Sequence, residues 1–176
     1  MIIISGPSTV GKNPFIVEAC NLFPLTFFVP ITTRTKRKDE IDGRDYLFIS
    51  KEAFQAKIAS KEIEQWDYCL KNYYGYNGFP LTGKTITHGL SRMAIRIKNL
   101  YPEKITTIFL MPASQAKIMT TLEQIYSGTD LVLRKELVQE EICHSTLFDY
   151  IFYVENHSTE LLHNEKVFRV LLEEVR

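Results

Sequence analysis

Gly6-Pro7-Ser8-Thr9-Val10-Gly11-Lys12 sets two glycines five residues apart with a lysine directly after the second. Glycines let a backbone wrap closely around a phosphate chain, and the successive N–H groups of such a loop point at the anion. Lys12 would reach the outer phosphates, and the start of a following helix would add positive potential. The pattern predicts an ATP-binding loop of Gly6, Pro7, Ser8, Thr9, Val10, Gly11, Lys12 and Asn13, with Lys12 also acting in catalysis. Asn13 stands where a Ser or Thr hydroxyl normally joins a magnesium shell, so its amide oxygen is the indirect candidate for that role. Pro14 has no N–H to offer a phosphate, although proline is sterically at ease in a first helical turn.

This loop needs a strand before it and a helix after it. Ile2-Ile3-Ile4-Ser5 reads as a short buried strand, and Phe15, Ile16, Ala19, Leu22 and Phe23 recur at helical spacing. The same alternation returns at Ile105 to Met111, followed by a helix capped by Ser114 and carrying Ile118, Met119, Leu122 and Ile125. It returns again at Asp149 to Val154, followed by a final helix with Leu161, Phe168, Leu171, Leu172 and Val175 on one face. Strands alternating with helices imply a parallel sheet covered on both sides. Residues from about Phe27 to Tyr76 differ. They are rich in Thr, Tyr, Phe, Arg and Lys, with one helix at Lys51 to Ile58, and read as a mostly antiparallel insertion. Gly128 to His144 reads as a helical arm over the core.

The chain has 176 residues, 45% of them hydrophobic, which suffices for one domain with a real core. Lys and Arg balance Asp and Glu at 21 each, so no global field draws it to nucleic acid or to a membrane surface. The three cysteines lack CxxC spacing, which argues against a disulfide framework or a zinc site. No apolar run approaches the ~18 residues of a membrane span, and no basic n-region precedes a cleavable segment. A cytoplasmic location is the expectation.

A second set of residues lies in the insertion: Thr32-Thr33-Arg34, Arg37, Glu40, Gly43-Arg44-Asp45-Tyr46, then Gln65-Trp66, then Tyr73-Tyr74-Gly75. With the Gly6 loop, in this order and at these separations, they resemble the guanylate kinase family over roughly the first 76 residues. The resemblance implies an α/β P-loop NTPase fold with a parallel sheet flanked by helices. One domain, 1–176, would comprise a core (1–30 and 80–176), a monophosphate-binding insertion (about 31–79) and a short helical lid (about 126–144). It implies transfer of the ATP γ-phosphoryl group to GMP or a related monophosphate, with Mg2+. Arg34, Arg37, Tyr46 and Tyr74 stand at the positions that clamp the acceptor phosphate, with Glu40 orienting them and Arg34 expected to act in catalysis as well. Guanidinium forks and phenol donors suit a dianionic phosphate.

Other positions depart from the family pattern. Gln65 replaces a guanine-reading Glu, and Tyr76 stands at another base contact, which leaves base preference open. A strand-end Asp has no counterpart near Ser91, and His88 is either a substitute general base or a structurally bonded histidine. Of the arginines in the lid only Arg134, expected to act in catalysis, and Lys135 remain near the Ile125 to Thr129 turn; an exposed helix face is the alternative. Two further readings follow: a catalytically weak module that binds a phosphorylated ligand or phosphopeptide, and a kinase for a non-guanine phosphate ester.

Overall fold

The computed structural model describes residues 1–81, 84–154 and 169. β1 (Ile2–Ser5) is buried along its whole length, because it lies between two strands and beneath helices on both faces. Its alternation divides the core. Ile2 and Ile4 pack against Phe15, Ile16 and Ala19 of α1 (Lys12–Leu22). Ile3 faces the other way, onto Met93, Ala94 and Ile97 of α3 (Ser91–Leu100). Each such isoleucine contributes about 1.5–3 kcal/mol through burial. β1 pairs in parallel with β7 (Thr85–His88) and β8 (Thr106–Pro112); β2 (Thr26–Phe27) and β9 (Tyr150–Val154) complete the sheet at its edges. The order β2-β7-β1-β8-β9 is parallel throughout, as the strand–helix alternation predicts.

Helix α3 and strand β7 were not separately predicted from the sequence. The signal is Met93, Ala94 and Ile97 on one face, with Arg92, Arg96 and Lys98 between them. The final helix carrying Leu161, Phe168, Leu171, Leu172 and Val175 lies outside the described residues.

The inserted segment forms a second sheet, ordered β4 (Leu47–Phe48), β3 (Ile31–Thr32), β6 (Asn72–Tyr76), β5 (Gln65–Cys69). Two of its three pairings are antiparallel, while β3 and β4 run parallel. Helix α2 (Lys51–Ala59) closes this sheet by burying Phe54 against Ile31 and Ile63, and Ser50 Oγ caps it by accepting from the Ala53 N–H. Gly75 is required here: a Cβ would meet the Gln65 carbonyl at 2.9 Å and the Phe54 ring at 3.0 Å. Two helices of the core follow β8. Ile118 and Leu122 of α4 (Gln115–Ile125) pack on Val138 of α5 (Gly128–His144), and α5 also lies against α3. Among the described residues no helix is long and apolar enough to cross a membrane.

Candidate functional site

The end of β1 and the start of α1 shape the phosphate loop. Gly6 has φ +144°, and a Cβ there would lie 2.6 Å from the Leu110 carbonyl, so only glycine lets the chain turn away from the sheet. Gly11, at φ 98°, sits before the helix with no side chain capping it, and the first turn carries no acidic residue. The helix N-terminus therefore keeps its backbone donors and its positive potential for a ligand. Lys12 Nζ folds back to donate to the Gly6 and Pro7 carbonyls. Burial lowers its pKa, Glu141 opposes that shift and Arg37 adds to it.

Opposite the loop, the insertion presents an ordered cluster. Arg34 is held by Glu40 through two parallel bonds, Nη1 to Oε2 at 3.0 Å and Nη2 to Oε1 at 2.7 Å. The Arg37 N–H donates to the same carboxylate at 2.8 Å. Burial alone would raise the Glu40 pKa, but Arg34 and the Arg37 N–H hold it below the usual carboxylate range. The Arg34 guanidinium lies 5.4 Å from the Tyr46 ring centroid, and Tyr46 meets Tyr74 edge-on at 6.3 Å. Burial pushes both phenols up, so each stays a neutral hydrogen-bond donor. Arg37 is exposed, and its guanidinium hydrogen-bonds to none of the described residues. It is ready for an anion.

Loop and cluster share one cavity of about 590 Å³, well within the range of ligand sites. Of the residues predicted for the loop, Ser8, Thr9, Gly11, Lys12 and Asn13 line it; Gly6, Pro7 and Val10 shape the loop from behind. From the insertion come Arg34, Arg37, Glu40, Tyr46 and Tyr74, and Arg134 reaches in from α5. Arg134 is parked, with its Nε 2.9 Å from Asp130 and its guanidinium 3.7 Å from the Tyr126 ring centroid. Lys135 points elsewhere, to Glu123.

Two expected base contacts do not line the cavity. Tyr76 is fully buried in the core between Ile3 and Met93, its hydroxyl donating to the His88 carbonyl at 3.0 Å. Its large ring fills the interior where a smaller residue would leave room. Gln65 lies across from Tyr76 in the β5–β6 pairing and is also absent from the cavity wall.

His88 ends β7, stacks on Phe27, and meets the Tyr46 hydroxyl through Nδ1 at 3.4 Å; its Nε2 has no hydrogen-bond partner among the described residues. Burial, followed by the charge of Lys12, pushes its pKa down to about 3. So weak a base is far from the match to working pH that general-base catalysis favours, and the structurally bonded histidine is the better account. Ser91 is buried and bonded to His144 Nδ1 at 2.9 Å, away from the cavity.

Sequence reasoning missed Glu141. This carboxyl is 4% exposed yet lines the cavity, and burial raises its pKa to about 7 against the pull of Lys12 and the Ser91 N–H. The signal was positional: Glu141 continues the inward stripe of Arg134 and Val138 on α5. Among the described residues no group of three or more His, Cys, Asp or Glu side chains is arranged to hold a metal.

Comparison with known proteins gives one consistent answer. The family model described as guanylate kinase matches residues 1–78. A guanylate kinase of Halalkalibacterium halodurans is 33% identical over 172 residues, covering 92% of this chain and 82% of the relative. One from Carboxydothermus hydrogenoformans is 30% identical over 196 residues, covering 98% and 95%. The crystal structure of a guanylate kinase from Anaplasma phagocytophilum superposes with a TM-score of 0.74 over 98% of this chain and 85% of its own, at 24% identity.

Proposed function

The chain belongs to the guanylate kinase family, and on that premise we propose that it transfers the γ-phosphoryl group of ATP to a nucleoside monophosphate, GMP or a close relative. The observation that carries this reading is the shared cavity, with a phosphate loop on one wall and an arginine–tyrosine cluster on the other. Phosphoryl transfer asks little covalent chemistry of a protein: donor and acceptor must be held in line, and positive charge must meet the oxygens that gain negative charge. Lys12 and the loop N–H groups hold the donor phosphates. Arg34, Arg37, Tyr46 and Tyr74 hold the acceptor phosphate, with Glu40 orienting Arg34. Arg134 leaves Tyr126 to reach the transferred group.

Behind the loop a second cavity of about 390 Å³, lined by Thr9, Val10, Ser114, Lys117 and Gln124, has room for the donor nucleoside. Magnesium fits the oxygen chemistry at the loop, where Asn13 lines the cavity with an amide oxygen that accepts from none of the described residues. When bound, it neutralises charge between the outer phosphates. Among the described residues no group of three or more carboxylate, His or Cys side chains is arranged to cage it, so the nucleotide itself must supply much of the coordination. Three unpaired cysteines and an even charge balance fit a protein of the reducing cytoplasm.

A coupled assay of ADP release tests the proposal, with ATP, magnesium and a panel of monophosphates. GMP or a relative should support turnover. Tight monophosphate binding without turnover would instead favour a module that reads phosphorylated ligands, the alternative to which Asn13, Pro14 and the folded-back Lys12 point.

A further inference from the structure

The amide of Asn13 is tied to the insertion by a single bond. Its Nδ2 lies 3.1 Å from Asp45 Oδ1. A carboxylate at neutral pH has only lone pairs to offer, so the atom facing it must be the NH2 end, and the assignment follows from chemistry. Asp45 is itself fixed: its Oδ2 accepts from the Ile41 N–H at 2.7 Å and from Arg44 Nη2 at 2.7 Å, and its side chain is 12% exposed. The bonds that hold the 41–46 turn therefore also hold a carboxylate against the second residue of α1.

We propose that Asp45 is the positioning residue of the donor site: by taking the Nδ2 donor of Asn13, it leaves Oδ1 as the free oxygen at the place where this loop motif ordinarily offers a hydroxyl to magnesium. An unrestrained amide would present its NH2 group to a cation in some of its rotamers and repel it. A serine hydroxyl has no such wrong end. The bond also joins the loop that holds the donor to the turn that carries Tyr46, so the acceptor clamp and the donor oxygen are set by one carboxylate. The inference rests on the kinase reading above.

The experiment is calorimetric titration of the full chain with ATP, once with excess chelator and once with magnesium; the readout is the ratio of the two affinities. Asp45→Asn should lower that ratio about tenfold, the lower end of what removing an outer-shell partner usually does, while leaving the chelator affinity in place. In an Asn13→Ser background the same change should leave the ratio unaltered, because a hydroxyl needs no orienting partner. Asn13→Ala, which spares Asp45 and its turn, must also lose the ratio and serves as the probe if Asp45→Asn disturbs the fold. An unchanged ratio in Asp45→Asn or in Asn13→Ala overturns the proposal. So does an equal loss in the Asn13→Ser background, which would mark the bond as a structural clamp. A wild-type chain whose ATP affinity ignores magnesium overturns this inference together with the kinase reading, whereas failure in the variants alone leaves that reading intact.

Discussion

The two halves of the cavity are prepared to different degrees. On the acceptor side Glu40 already binds Arg34 bidentately, Tyr46 and Tyr74 meet in a T-shaped contact, and the Arg37 guanidinium hydrogen-bonds to none of the described residues. On the donor side Lys12 bonds its own loop, Arg134 rests on Tyr126 and Asp130, and Pro14 withholds an amide. Preorganised groups bind without ordering themselves, while folded-back groups must first break bonds they already have. The acceptor half should thus bind its ligand at once, and the donor half should depend on closure around ATP.

The sharpest break in that comparison is Lys12→Ala. It should lower transfer by about a hundredfold to a thousandfold, the usual loss of one transition-state donor, and leave monophosphate affinity within about twofold. Kinetics and calorimetry on the same sample separate the two. Next are the two arginines. Arg37→Ala should weaken monophosphate binding by about 1.5–3 kcal/mol with little change in unfolding midpoint, because its guanidinium hydrogen-bonds to none of the described residues. Arg34→Ala should lose similar affinity and also stability, since Glu40 is left without its partner. Equal stability of the two variants would show that the Glu40 pair contributes nothing.

Glu141 connects the halves and supplies a pH test. Its folded pKa is raised to about 7 from an ordinary value near 4.5, so the folded state holds the proton more tightly. The group is mostly neutral in both states at pH 4; the penalty for charging it grows between about pH 4.5 and pH 7 and is nearly complete above that. Glu141→Gln should therefore stabilise the chain at pH 8 by up to about 3 kcal/mol and do nothing at pH 4. Denaturant melts at both values decide it. The smallest effect belongs to the loop: Asn13→Ser with Pro14→Thr should tighten Mg-ATP binding about tenfold, the worth of roughly one charged hydrogen bond. If ATP binds no better, these departures are not what weakens the donor half.

Much of this was legible in the chain. β1 and the Gly6 loop could be read because an apolar run leading into glycine has few other uses, and α5 was placed from Gly128 to His144 by Leu131, Leu137, Val138 and Ile142 spaced among charges. The acceptor cluster was readable because its residues lie close together in sequence, so spacing survives as evidence. What was hidden depends on long-range contacts. Glu141 and Lys12 are far apart along the chain, and the burial that raises one pKa and lowers the other has no local signature. Tyr76 read as a base contact from its place after Tyr74-Gly75, yet strand pairing turns its ring into the core, where only the packing of Ile3 and Met93 reveals its role. Asn13 read as an indirect candidate for magnesium, and only the 41–46 turn, which brings Asp45 to it, shows what holds its amide.

The central claim is that this cavity moves a phosphoryl group between two bound ligands. The most direct measurement is incubation of the chain with γ-labelled ATP, magnesium and GMP, followed by separation of the nucleotides. Transfer puts label in a nucleoside diphosphate, and Lys12→Ala loses it. Label confined to ATP and free phosphate, under conditions where calorimetry shows both ligands bound, would contradict that claim.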